Sequence, residues 1–174
     1  MGKPVLVMID VQRGFLRDCS RHILPVVVDL ARRWPGDLLL TRYVNPPGSP
    51  YERLLHWTGF RGPPATDLAP ELLPYVPRAI AVIDKHVYSV FTAECGELVR
   101  RHGWTDLYLC GIATEYCVLK SAIDTFERDL TPWVIEDATA SHEDHHEEGL
   151  RAIRRFIGAG QIIRAADVPG LLPA

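Results

Sequence analysis

The strongest constraint on this chain is an alternation of short apolar runs with stretches of helical character. The apolar runs are Val5–Asp10, Asp37–Val44, Ile80–Ile83 (continuing into Asp84-Lys85), Asp106–Cys110, Pro132–Glu136 and a short last one, Gln161–Arg164. Runs this short and this continuously apolar read as strands buried on both faces. Ile23–Arg33, Ala93–His102, Glu115–Arg128 and Glu143–Ile157 read as helices. Three of them are closed by Pro35-Gly36, Gly103 and Gly158. Such alternation predicts an α/β fold, a parallel sheet covered by helices on both faces. A length of 174 residues suits one domain over 1–174 with a full core.

Several function classes fall away at this point. A formal charge of −3 offers no basic footprint, so nucleic acid is not an expected partner. No run approaches the length of a membrane span, so no membrane partner is expected. The chain passes from MGKP straight into the first strand, which reads as the absence of a secretory signal and as a cytoplasmic protein. Cys19, Cys95, Cys110 and Cys117 show neither CxxC nor zinc-ligand spacing and read as reduced thiols.

One segment interrupts the alternation, a proline-rich insert at about 45–78. It holds Pro46, Pro47, Pro50, Pro63, Pro64, Pro70, Pro74 and Pro77, together with Tyr51, Trp57 and Phe60. A connection this long in a compact domain is more often functional than not. Ser49-Pro50-Tyr51-Glu52 fits a capping box with Pro at the first helical position, so a short helix is expected through about His56. The insert's aromatic residues, Tyr51, Trp57 and Phe60, are expected in a substrate wall or in a subunit contact, and the two roles are compatible.

Chemistry concentrates at strand ends. Leu107–Lys120 reads as a strand stopped by Gly111 and then a helix capped by Thr114, which puts Cys117 in the first helical turn. Partial positive charge and free N–H groups at a helix start favour a thiolate. In open α/β sheets, ligands bind outside the carboxyl ends of the strands. Asp10 and Lys85 occupy two other such ends. A carboxylate can take the thiol proton and later give it to a leaving amine. An ammonium lowers the thiol pKa and keeps the carboxylate ionised. The Gly111–Cys117 turn can supply N–H donors to an oxyanion.

These residues carry a resemblance. VLVMIDVQRGF is similar to an apolar strand followed by D-x-Q-x-x-F, at Asp10, Gln12 and Phe15. KHVYSVF is similar to K-x-x-x-S-x-F, at Lys85, Ser89 and Phe91. CGIATEYCV is similar to G-x-x-T-[DEN]-x-C-V, at Gly111, Thr114, Glu115, Cys117 and Val118, and VIEDATAS resembles the strand that follows. Together, in order, they resemble the isochorismatase-like cysteine hydrolase superfamily, which includes nicotinamidases and N-carbamoylsarcosine amidase. The resemblance implies a three-layer Rossmann-like fold with a six-stranded parallel sheet in the order 3-2-1-4-5-6. It implies Cys117 as nucleophile, Asp10 as general base then acid, and Lys85 as the orienting cation. It implies a cis peptide between Ile112 and Ala113, and an oxyanion hole from the N–H groups of Ala113 and Cys117. A homo-oligomer, dimer or higher, is expected.

Nicotinamidases hold a metal with an Asp-x-His pair after the second strand, where this chain has Tyr43 and Asn45. No metal and no other cofactor is therefore expected. Tyr88, Phe91 and Tyr116 neighbour the catalytic positions and either line the pocket, with Phe15, or belong to the core. Arg13 and Arg42 are candidates to hold a substrate carboxylate, Arg42 with the better position. His142, His145, His146 and Asp144 have metal-like spacing but read as a solvated helix start. The expected activity is hydrolysis of a C–N bond in a small amide, carbamoyl or ureido compound through a thioester. The alternatives are vinyl-ether hydrolysis of the isochorismatase type, and an idle binding scaffold.

Overall fold

A computed structural model describes residues 2–141 and 143–170. Its centre is a sheet of six parallel strands in the order β3-β2-β1-β4-β5-β6. The strands are β1 (Pro4–Ile9), β2 (Asp37–Tyr43), β3 (Ala81–Lys85), β4 (Asp106–Ile112), β5 (Thr131–Ala140) and β6 (Ile162–Ile163). The helices are α1 (Leu24–Arg33), α2 (Pro50–Leu55), α3 (Ala93–His102), α4 (Leu119–Phe126) and α5 (His146–Ile157).

Alternate residues of β1 feed two cores. Leu6 and Met8 pack with Leu38, Leu40 and Tyr108 against Val27 and Leu30 of α1. Val5, Val7 and Ile9 pack on the other face with Leu107 and Leu109, against Cys95 of α3, Ala122 of α4 and Ile153 of α5. Burial of both faces explains why the strands read as continuous apolar runs rather than alternating ones. β4 and β5 each extend past their apolar runs. Gly111 and Ile112 continue the ladder to Thr139 and Ala140 after a register shift, so pairing outlasts hydrophobicity.

Gly111 is required by this geometry. Its φ is +117°, and an added Cβ would lie 2.0 Å from the Ile9 carbonyl oxygen. β4 therefore closes on the end of β1 at the point where Asp10 leaves it.

The insert is ordered by its own caps. Ser49 accepts from the Glu52 N–H at 3.2 Å, Pro50 occupies the first turn of α2, and His56 ends it in a left-handed conformation. The Glu52 carboxylate accepts from the Gly48 N–H at 2.6 Å, one residue before the cap. The segment is stitched to the residues after β1 by the Arg13 N–H to Asp67 O, the Gly14 N–H to Ala65 O, and the Ala69 N–H to Val11 O.

Candidate active site

The ends of β1, β3 and β4 bring Asp10, Lys85 and Cys117 together. Asp10 is fully buried with φ at +50°; its N–H reaches the Thr41 carbonyl at 3.2 Å, and its Oδ1 accepts from the Thr41 hydroxyl at 2.7 Å. Lys85, also fully buried, spans β2 to set Nζ 2.7 Å from Asp10 Oδ2 and 3.5 Å from Cys117 Sγ. Its ammonium also donates to the carbonyls of Val87 at 2.9 Å and Tyr88 at 3.0 Å. The Asp10 Oδ2 contact is an ion pair without the alignment of a hydrogen bond. That oxygen keeps a lone pair for a proton.

Cys117 sits in a wide turn rather than the α-helix expected from Glu115 onward. Thr114–Val118 has π-helical geometry, with the Val118 N–H reaching the Ala113 carbonyl at 3.1 Å, and α4 proper begins at Leu119. Thr114 is accordingly not an N-cap. Its hydroxyl bonds instead to Nδ1 of His146 at 2.8 Å. Glu115 accepts from the Ser141 hydroxyl at 2.7 Å. A Cβ on Gly149 would lie 2.7 Å from the Glu115 nitrogen, so only glycine lets α5 approach this turn. The peptide between Ile112 and Ala113 is cis.

The electrostatics correct a second expectation. Burial pushes the Cys117 thiol up to about 12; Lys85 opposes this, and Asp10 reinforces it. One ammonium already paired with a carboxylate cannot outweigh desolvation. The protonated thiol is therefore the favoured form of Cys117. For Lys85, desolvation works toward the neutral amine, but Asp10 and then Cys117 outweigh it and raise its pKa. The ammonium form is the resting form.

Above this cluster lies a pocket of about 300 Å³, with Cys117 and Ala113 at its base. Phe15, Trp57, Tyr88 and Tyr116 line it. Three of the residues expected there do not. Arg42 makes a two-pronged ion pair with Asp84 at 2.7 and 2.8 Å, and with Arg13 it borders a different cavity. Phe60 stands behind Phe15, stacked on it at 3.9 Å. Phe91 packs beneath the Arg128 guanidinium at 4.3 Å and joins the α3–α5 core.

The sequence reading missed Tyr43, Leu55 and Glu143 as lining residues, whereas Tyr51 of the insert lines the pocket as a wall residue would. For Leu55 the capping box was a usable signal, because it fixes the start of α2 and so places Leu55 one turn after Tyr51. Glu143 had been placed inside α5, which starts only at His146. Of the histidine group, His142 lies outside the described residues.

A substrate-holding metal does not fit beside this pocket. Asn45 donates to the Trp57 carbonyl at 3.0 Å and accepts from the Ser49 hydroxyl at 2.5 Å, and Tyr43 is wedged among Tyr51, Trp57 and Phe60. Among the described residues, no group of three or more His, Cys, Asp or Glu side chains is arranged to hold a metal ion.

A six-stranded parallel sheet with a cysteine, a carboxylate and a lysine gathered at its carboxyl edge has the architecture of isochorismatase-like hydrolases. The isochorismatase domain model matches residues 4–167, and the chain belongs to that family. It is 30% identical over 159 residues to the phenazine biosynthesis protein PhzD1 of Pseudomonas aeruginosa, covering 85% of this chain and 77% of that one. It is 29% identical over 154 residues to a probable isochorismatase of Pseudomonas chlororaphis, covering 83% and 74%. The fold superposes on nicotinamidase PncA from Bacillus subtilis with a TM-score of 0.81, at 24% identity over 93% of this chain and 99% of that one. It superposes on N-carbamoylsarcosine amidase from Thermoplasma acidophilum with a TM-score of 0.80, at 21% identity over 97% and 99%. At these identities the structural likeness is one of fold.

Proposed function

We propose that this family member is a cysteine amidohydrolase that cleaves the C–N bond of a small, neutral amide, carbamoyl or ureido compound through a thioester at Cys117. The observation that carries the proposal is the contact of Asp10 with Lys85 at 2.7 Å, with the Cys117 thiol 3.5 Å from the same ammonium, beneath an aromatic pocket.

Because the resting sulfur is protonated, attack and proton transfer are coupled. Asp10 takes the thiol proton as Sγ bonds to the carbonyl carbon. Lys85 holds the growing negative charge on sulfur. The N–H groups of Ala113 and Cys117 are assigned to the oxyanion. Collapse of the tetrahedral adduct breaks the C–N bond, and the proton on Asp10 goes to the departing nitrogen. Asp10, ionised again, takes a proton from water as the water attacks the thioester. Cys117 leaves as the thiol, and the sum is amide plus water giving acid plus amine.

The lining supports a neutral substrate. Among the described residues, no arginine, lysine or histidine lines the cavity, and the one carboxyl residue that does is Glu143. A dianion would enter unpaired, at a desolvation cost of several kcal/mol on the order expected for buried charge. The 29–30% identity to an isochorismatase and a phenazine biosynthesis protein favours vinyl-ether hydrolysis as the second reading. Release of ammonia from a panel of primary amides and ureido compounds separates the two. The expected outcome is release by the wild type and none above background from Cys117→Ala. Equal release by both proteins would overturn the assignment of Cys117.

A further inference from the structure

One buried group of a pocket-lining residue has no hydrogen-bond partner among the described residues. The hydroxyl of Tyr43 is buried, with the residue only 2% exposed, and among the described residues nothing donates to or accepts from it. Its ring is fixed by a stack on Trp57 at 5.7 Å and an edge contact with Tyr51 at 5.1 Å, with the Lys85 ammonium 5.6 Å from its centroid. The ring lines the cavity beside Cys117. Burial raises its pKa, with further contributions from Tyr51, Cys117 and Tyr88, so the hydroxyl keeps its proton. The neighbouring Tyr51 hydroxyl differs, because the Tyr88 backbone partners it.

A native interior rarely leaves such a group unsatisfied, and where it does an explanation is required. Packing does not supply one, since a phenylalanine would make the same ring contacts. We infer that the Tyr43 hydroxyl is a specificity-determining donor that receives a hydrogen-bond acceptor of the substrate, a carbonyl oxygen or aromatic ring nitrogen remote from the scissile carbon. This rests on the reading of the pocket as an amide site and narrows it to planar amides carrying a second acceptor. Sites built to pair a polar group discriminate strongly against analogues lacking the partner, because the protein atom is then left unpaired.

The test uses full-length Cys117→Ala, which holds ligands without turnover, and the double variant Cys117→Ala/Tyr43→Phe. The probes are benzamide and the three pyridinecarboxamide isomers, titrated by calorimetry. At least one pyridine isomer is expected to bind about tenfold more tightly than benzamide to the first protein, an advantage that falls to about twofold or less in the second. The Tyr43→Phe change should leave the melting temperature unchanged or raised, which a structural hydroxyl would not allow. Three results overturn the inference: an advantage that survives in the double variant, no isomer binding better than benzamide, or a lowered melting temperature with all four probes weakened alike. Because binding is read without hydrolysis, failure here is distinct from failure of the Cys117 chemistry, which ammonia release judges in the wild type.

Discussion

Asp10, Lys85 and Cys117 hang from the ends of three sheet strands, whereas Tyr51, Leu55 and Trp57 hang from the proline-rich connection between β2 and β3. The first region is polar and dry. Its side chains are fixed by an ion pair, by the carbonyls of Val87 and Tyr88, and by the Thr41 hydroxyl. The second is aromatic and half open. Its rings hold one another at centroid separations of 5–6 Å, and Leu54 and Leu55 remain largely exposed. A buried charge cluster tolerates little displacement, because one misplaced partner leaves another unpaired. Stacked rings lose affinity gradually as they shift. On the proposed function, the sheet would set the reaction chemistry and the loop the substrate choice, and each could vary without the other.

The largest expected effect lies at the floor. Asp10→Asn removes both the proton acceptor and the partner of Lys85. Turnover should fall by about 10²–10⁴-fold or more. Stability should drop by about 3–5 kcal/mol, the usual cost of stranding one member of a buried pair. The thiol should move the other way. Asp10 raises the Cys117 pKa and Lys85 lowers it, so without the carboxylate the pKa falls from about 12 and thiolate forms at a lower pH. Titration of thiolate absorbance near 240 nm, with Cys117→Ala as the blank, reads this directly. A variant richer in thiolate yet nearly inert would show that the carboxylate moves protons rather than merely tuning sulfur. An unchanged titration, or a near-wild-type rate, would break the division between floor and wall.

The same division explains which features were legible in the sequence. The sheet was, because parallel strands buried on two faces leave uninterrupted apolar runs, and because Asp10 and Lys85 sit where two of those runs stop and Cys117 follows in the turn after a third. α2 was legible through Ser49, Pro50 and Glu52, whose capping chemistry is local. The ionisation state of Cys117 was not. It depends on desolvation by groups far away in the chain, and the helix start invoked to lower its pKa is a π-turn. Nor was the choice among Phe15, Phe60, Phe91 and Arg42. An aromatic near a catalytic residue in sequence has no fixed side, and Arg42 is claimed by Asp84 on the neighbouring strand, a pairing visible only once Arg42 and Asp84 stand opposite each other in the register.

An intermediate effect is expected where the wall is anchored. Asn45 ties both ends of the aromatic segment, donating to the Trp57 carbonyl at 3.0 Å, accepting from Ser49 at 2.5 Å, and giving its own N–H to the Phe60 carbonyl at 2.9 Å. Asn45→Ala keeps only the backbone bond and leaves buried partners unsatisfied, at about 1–3 kcal/mol. For a chain of this length that corresponds to a melting temperature lowered by a few degrees, at about 2–4 °C per kcal/mol. Trp57 then loses its register over the pocket while the floor is untouched. On any substrate found by the ammonia assay, KM should rise about 3–10-fold, an effect of the size of one lost neutral hydrogen bond, with kcat held within about twofold. A matching collapse of kcat would mean that the wall positions the reacting atoms as well as the substrate.

The smallest effect is expected at Arg42, and its smallness is informative. Arg42 stands at the end of β2 one residue before Tyr43, yet it is outside the pocket that Tyr43 lines. A single step along β2 thus separates a residue that lines the site from one that borders a different cavity, with Arg13, Asp67 and Leu68. Its guanidinium is taken up by Asp84, which holds its pKa above the usual arginine value. Both partners are about one-third or more exposed, at 35% and 46% of their side-chain surface, and exposed pairs of this kind contribute about 0–1 kcal/mol. Arg42→Ala should therefore shift the melting temperature by no more than about 2–4 °C. kcat and KM should stay within about twofold of wild type, for neutral amides and for amides bearing a carboxylate alike. A selective rise in KM for the carboxylate-bearing amides would place a cation within reach of the substrate after all. It would also break the contrast between an uncharged wall and a charged floor, because the charge needed for recognition would then come from the sheet.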